Sequence, residues 1–214
     1  MTPLSRTSSL PVVALTPGDP SGIGPEIILR SLAEPSLKKL CRFVLIGNRR
    51  VFERTLDTLS KKDKHNAETA LRDLEIKNVK GPFLKSVCSG KISATAGRFS
   101  YNCVVAGVKA VLSGEADTLV TAPISKIAWH SAGITYAGHT EALAALTRTQ
   151  DVAMSFFVGR LRVATVTTHL PLNAVPQAIN CKAVLQTLRV LDHWLRSGEG
   201  RQSPRIAVTG LNPH

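Results

Sequence analysis

PVVALTPGDPSGIGPE, from Pro11 to Glu26, decides the fold. Its first six residues form a short apolar run with little polar alternation, the pattern of a strand buried on both faces. Gly18, Gly22 and Gly24 then let the backbone turn tightly. Pro25 suits the first turn of a helix, where its missing N–H costs nothing, and that helix is expected to run to about Ala33. Strand, tight turn and helix make the first half of a βαβ unit.

The pattern repeats outward along the chain. RFVLIG (Arg42–Gly47) reads as a second strand with helix-like sequence after it. A long helix fits GRFSYNCVVAGVKAVLSG (Gly97–Gly114), with Tyr101, Val104, Val105, Val108, Val111 and Leu112 on one face and Gly114 as its stop. DTLVTA reads as a strand, and AMSFFV and LRVATVTT as two more joined by a turn at Gly159-Arg160. A helix from about Lys182 to Arg196 precedes a closing strand in RIAVT (Arg205–Thr209). Strand–helix alternation with short links predicts an α/β fold with a largely parallel sheet covered by helices. The polar stretch SKKDKHNAETA is expected to be a surface excursion, and composition marks no domain boundary.

With 214 residues and 43% hydrophobic content the chain can bury a substantial core. Its net charge of +12 suits phosphate- or carboxylate-bearing ligands. Between Leu37 and Lys85, 13 Lys and Arg face 6 Asp and Glu, but without the interleaved aromatics on which nucleic-acid bases stack. Nucleic acid is therefore not an expected partner. Neither is a membrane, since no run approaches the ~18 apolar residues of a span. Cys41, Cys88, Cys103 and Cys181 form no CxxC pair and are expected to be reduced and mostly buried. No secretory signal is visible in MTPLSRTSSL, so a cytoplasmic location is expected.

Four loops carry residues suited to chemistry. TPGDPSGIGPE matches neither GxGxxG nor GxxxxGK[ST], so a tight turn and an anion site at the helix start both remain open. TAPISK places Lys126 just past a strand, where it can meet a phosphate or carboxylate or be an ordinary surface lysine. AGHTEA opens a helix with His139 and Thr140: Thr140 suits a helix cap, and both residues suit donors to an oxyanion. VATVTTHLPL and IAVTGLNPH each place a histidine, His169 and His214, on a loop after a strand. Two such imidazoles can share a divalent ion or be unrelated. His65, His130 and His193 have no comparable setting.

Taken together, TPGDPSGIGPE, TAPISK…AGITYAGHTE, ATVTTHLPL and VTGLNPH resemble, in order and spacing, the 4-hydroxythreonine-4-phosphate dehydrogenase family of pyridoxal phosphate biosynthesis. The resemblance implies an isocitrate/isopropylmalate dehydrogenase-like fold of two α/β domains, with the active cleft at a homodimer interface. It implies that His139 and Thr140 bind a phosphorylated hydroxy amino acid. His169 and His214 match two of the three histidines that hold a divalent cation (zinc, magnesium or cobalt). Lys126 is carried as a candidate catalytic residue placing charge near the cleft, and no cofactor-binding residue is identified. The implied reaction passes hydride to NAD or NADP and loses carbon dioxide, turning 4-phosphohydroxy-L-threonine into 3-amino-2-oxopropyl phosphate. A related 4-phosphorylated hydroxy acid, such as threonate or erythronate phosphate, is the alternative substrate. A non-catalytic protein that binds phosphate ligands is the alternative function. Family members continue past GLNPH to a YHDQG-like motif with the third metal histidine, so the chain is read as the N-terminal portion of such an enzyme.

Overall fold

Four parallel strands carry the first half of the chain: β1 (Val12–Thr16), β2 (Arg42–Gly47), β3 (Glu75–Asn78) and β4 (Thr118–Thr121), side by side in the order β3-β2-β1-β4. The computed structural model describes residues 10–80 and 87–212, in two compact units, Met1–Leu146 and Thr147–His214. The apolar runs of β1 and β2 pair Val12–Leu15 with Arg42–Leu45, and their alternating side chains feed opposite faces. Leu15 and Leu45 join a core with α1 (Gly24–Leu32), α3 (Arg49–Leu56) and α4 (Lys61–Arg72), where Leu29, Val51 and Phe52 are fully buried. Ala14, Val44 and Ile46 meet Ala110 of α5 (Ala94–Leu112) on the other face. A short α2 (Pro35–Lys38) links α1 to β2. Helices on both faces of a parallel sheet are the expected α/β arrangement.

The polar stretch expected as a surface excursion is α4. Ser60 caps it by accepting the Asp63 N–H at 3.3 Å, and Ala67, Ala70 and Leu71 give it one buried face. The long helix starts earlier than read from sequence, at the Ser93 cap, and ends at Gly114, which has φ +76°. Its buried stripe also differs. Gly97, Ser100, Cys103, Gly107 and Ala110 pack inward beside Val104 and Val108, whereas Leu112 is exposed. Small residues let backbones approach: a β-carbon at Gly97 would stand 2.0 Å from the Ala128 carbonyl oxygen. α6 (Lys126–Ser131) and α7 (His139–Thr147) complete this unit around Trp129, Ile134 and Ala142.

In the second unit β5 (Met154–Val158) and β6 (Leu161–Thr165) form the expected antiparallel hairpin through Gly159-Arg160. Gly159 alone takes positive φ there, so the turn is of type II′. α8 (Val175–Ala178) follows a 3₁₀ turn at Leu172–Ala174, and α9 (Cys181–Ser197) starts at its Asn180 cap. The expected closing strand does not form, since Arg205–Thr209 pairs with no strand among the described residues. A strand needs a ladder partner as well as an apolar run. Here β6 and Ile206–Thr209 share the walls of a cavity of about 520 Å³ instead.

The cysteines are free, but only Cys103 is buried, correcting the expectation that most would be. Cys88 and Cys181 are exposed because they lie in a loop and at the first turn of α9. Among the described residues no helix is long and apolar enough to cross a membrane.

One pH dependence follows from the second unit. Glu199 accepts from Arg162 at 2.5 Å and from Arg201 at 2.8 Å, and these bonds hold its carboxyl below the usual glutamate value. A depressed native pKa contributes stability that is fully present above the unfolded value, about 4.3, and is lost as pH falls through the native value. Glu199→Gln should therefore lower the thermal midpoint at neutral pH, with the gap to wild type closing below about pH 4. Unfolding curves across that range check it; a gap independent of pH would refute the assignment.

Candidate functional site

The chain leaves β1 toward β2 and later returns to the other side of β1 for β4. The crevice outside the carboxyl ends of β1 and β4 is thus the topological switch point, where open α/β sheets bind ligands. The two loops that line it are Pro17–Ile23 and Ala122–Ser125. The first is a hydrogen-bonded turn. Asp19 N–H donates to the Pro123 carbonyl at 2.9 Å, Gly22 N–H to the Asp19 carbonyl at 3.0 Å, and Ser21 N–H to Asp19 Oδ1 at 2.8 Å. Three of its amides are thus paired by the two loops, and one of them, Ser21 N–H, holds the buried Asp19 carboxylate. Gly18, at φ +67°, sits where a β-carbon would be 2.1 Å from the Pro123 oxygen; at Gly24 it would be 2.2 Å from the Pro17 oxygen. Both glycines serve backbone-to-backbone contact. Of the two readings open for this loop, its hydrogen bonds show the tight turn.

The second loop leads to a different arrangement. Ser125 caps α6 by accepting the Ala128 N–H at 3.1 Å, which sets Lys126 as the first helical residue. The Lys126 side chain lies against the start of α7. A β-carbon at buried Gly138 would stand 3.5 Å from Lys126 Cε, 3.9 Å from its Nζ and 3.6 Å from Glu141 Oε2. Helix α7 begins at His139, and its first intrahelical bond runs from Ala142 N–H to the Gly138 carbonyl at 3.2 Å. Thr140 is therefore inside the first turn and exposed; Gly138 takes the cap position expected of Thr140. A helix start facing an ammonium favours an anion, because the unpaired first amides and the positive end of the helix dipole act together.

His139 is half-buried, and its ring meets that of Trp129 edge-on, with centroids 5.7 Å apart and planes at 76°. Nε2 is sealed from solvent without a hydrogen-bond partner, which leaves Nδ1 to meet a ligand. Burial pushes this imidazole below the usual histidine value.

Lys126, His139 and Thr140 are thus gathered at one helix start within the first unit. His169 lies in the second unit, exposed on the loop after β6, with φ +56°. Left-handed backbone is uncommon outside glycine, though histidine tolerates it better than most residues. His214 lies outside the described residues. Among those described, no three His, Cys, Asp or Glu side chains form a group that could hold a metal ion. His65, His130 and His193 are exposed, as expected of residues without a site. From sequence Trp129 carried no signal and Glu141 only a place at the helix start; their approach to the site is tertiary.

Comparison with known proteins bears on this arrangement. The family model of the pyridoxal phosphate biosynthetic protein PdxA matches residues 39–214. The 4-hydroxythreonine-4-phosphate dehydrogenase of Synechocystis sp. is 39% identical, over 96% of this chain and 61% of its own. That of Trichlorobacter lovleyi is 37% identical, over 95% and 63%. The crystal structure of the Klebsiella pneumoniae 4-hydroxythreonine-4-phosphate dehydrogenase superposes with a TM-score of 0.84 at 31% identity, covering 97% of this chain and 65% of that one. This likeness carries the isocitrate/isopropylmalate dehydrogenase-like fold expected from sequence. A Burkholderia xenovorans terephthalate 1,2-cis-dihydrodiol dehydrogenase, with a TM-score of 0.63 at 24% identity, shares the fold. The chain spans about three fifths of the length of the curated relatives it matches.

Proposed function

Because the chain belongs to the PdxA family of pyridoxal phosphate biosynthetic proteins, we propose that it binds 4-phosphohydroxy-L-threonine and serves its NAD- or NADP-linked oxidation and decarboxylation. The observation that carries this reading is the Lys126 ammonium beside Gly138, at the amino end of the helix that opens with His139 and Thr140. A phosphate monoester fits that setting by charge and by donor count. Lys126 neutralises it, the first amides of α7 and the Thr140 hydroxyl donate to its oxygens, and His139 donates through Nδ1. Glu141, on the same turn, places a carboxylate at the same spot and offsets part of the Lys126 charge.

In this reaction class the nicotinamide accepts the hydride and a divalent ion stabilises the developing alkoxide. Among the described residues no group of three His, Cys, Asp or Glu side chains could hold the ion, and His169 is exposed. The part of the work assigned here to the described residues is therefore to bind and orient the phosphate end. A homodimer and a divalent ion shared by His169 and His214 belong to the same proposal.

The test is titration of the purified chain with 4-phosphohydroxy-L-threonine by calorimetry, with nicotinamide reduction followed in parallel in the presence of zinc, magnesium or cobalt. Saturable binding and reduction are expected. Phosphate affinity should stay within about twofold in His169→Ala, since a group outside the phosphate contacts contributes little to them. Binding of threonate phosphate in preference would move the substrate to the related hydroxy acids, and absence of any binding would overturn the reading.

A further inference from the structure

We propose that Trp129, anchored by Ser100, is a positioning residue that holds His139 as a neutral imidazole with its proton on Nδ1. The inference deepens the phosphate reading above and rests on it for its purpose, though not for its geometry. Trp129 is fully buried, and its indole N–H donates to the equally buried Ser100 hydroxyl of α5 at 3.2 Å. Its ring meets Tyr101 edge-on at 5.5 Å, and Tyr101 stacks on Tyr136 at 6.1 Å. The indole is thus pinned by a hydrogen bond and a second aromatic ring before it meets His139. Nothing in this column can turn without breaking another contact.

The consequence for His139 is chemical. A proton on the sealed Nε2 would be a buried donor with no acceptor, a rare and unfavourable state. An imidazolium would need that proton too, and burial disfavours its charge. The form with its proton on Nδ1 avoids both and keeps its one donor for a phosphate oxygen. The form with its proton on Nε2 would present a lone pair to the anion instead.

The neighbouring charged and titratable groups leave this balance alone. Lys126 of α6 and Glu141 of α7 flank Gly138, while Tyr101 of α5 and Tyr136 of the 132–138 connection bond to each other. Arg98 of α5 spends its guanidinium on the Ala132 carbonyl. The fall in the His139 pKa comes from desolvation.

The test uses the full chain labelled with ¹⁵N-histidine, read by long-range ¹H–¹⁵N spectra without ligand and then with inorganic phosphate. In the wild type, His139 should show a protonated Nδ1 and a bare Nε2, and should titrate below the usual histidine value. Ser100→Ala, which keeps the ring column but removes its anchor, should give averaged nitrogen shifts at His139. The same substitution should weaken phosphate binding about three- to tenfold, a fraction of the worth of one charge-assisted hydrogen bond. Trp129→Phe should do the same, with the exposed His65 and His193 unmoved as evidence that the chain is folded. A wild-type His139 protonated on Nε2, or a tautomer unmoved in both variants, would overturn the proposal. A fixed Nδ1–H form that ignores phosphate would uphold the positioning role and remove the phosphate reading instead.

Discussion

Gly18→Ala is expected to lower the thermal midpoint of the chain by about 10 °C. The added methyl group meets two obstacles. Its backbone sits at φ +67°, which costs an L-residue about 1–2 kcal/mol. Its β-carbon would also stand 2.1 Å from the Pro123 oxygen and 2.7 Å from the Ala122 oxygen. Both are backbone atoms that cannot rotate away, and the Asp19–Pro123 hydrogen bond beside them would open as the loops part. Strain and lost contact together amount to about 3–5 kcal/mol, at about 2–4 °C per kcal/mol for a chain of this size. Gly90→Ala is the control. It shares the positive φ, +73°, but has open space around it, so only the conformational cost applies. Circular dichroism melts of the two variants check the difference, and equal shifts would refute the packing account.

Lys126→Ala should weaken binding of a phosphate monoester by about 10–100-fold, the equivalent of about 1.5–3 kcal/mol for a charge-assisted hydrogen bond. Lys126 is exposed, so added salt should erode wild-type affinity and narrow the gap between the two proteins. His139→Ala should cost about tenfold through loss of a neutral donor. If both side chains hold the same phosphate group, the double variant should lose less than the sum of the two single losses. Calorimetric titration at two salt concentrations measures all of these. Unchanged affinity in Lys126→Ala would remove the anion site from the start of α7.

The sheet was legible because its strands are bounded apolar runs. RFVLIG matches β2 residue for residue, and PVVALT contains β1. The closing RIAVT looked equally strand-like and is not paired, because a run of β-branched residues states a propensity while the ladder partner lies elsewhere in the chain. The long helix was recognised by its large residues, yet Gly97, Ser100 and Gly107 decide how closely it packs, and spacing of valines cannot show that. At the candidate site, sequence singled out Lys126, His139 and Thr140 individually. Their gathering at one helix start depends on the cap at Ser125 and on Gly138 leaving room for a lysine. Trp129 escaped notice because a tryptophan in KIAWH reads as core, and only the fold sets its ring against His139.

The contact between Gly97 and Ala128 has a consequence for motion. A six-residue helix has too few hydrogen bonds to persist alone and would ordinarily fray. Here α6 lies backbone-to-backbone on the nineteen-residue α5 where Ala128 meets Gly97, and its Trp129 side chain bonds Ser100 one turn further along α5. The short helix cannot tilt or unwind without lifting from its partner, so the two share one opening event and one free energy of opening. The ammonium of Lys126 is thereby presented by a backbone with the stiffness of a much longer helix.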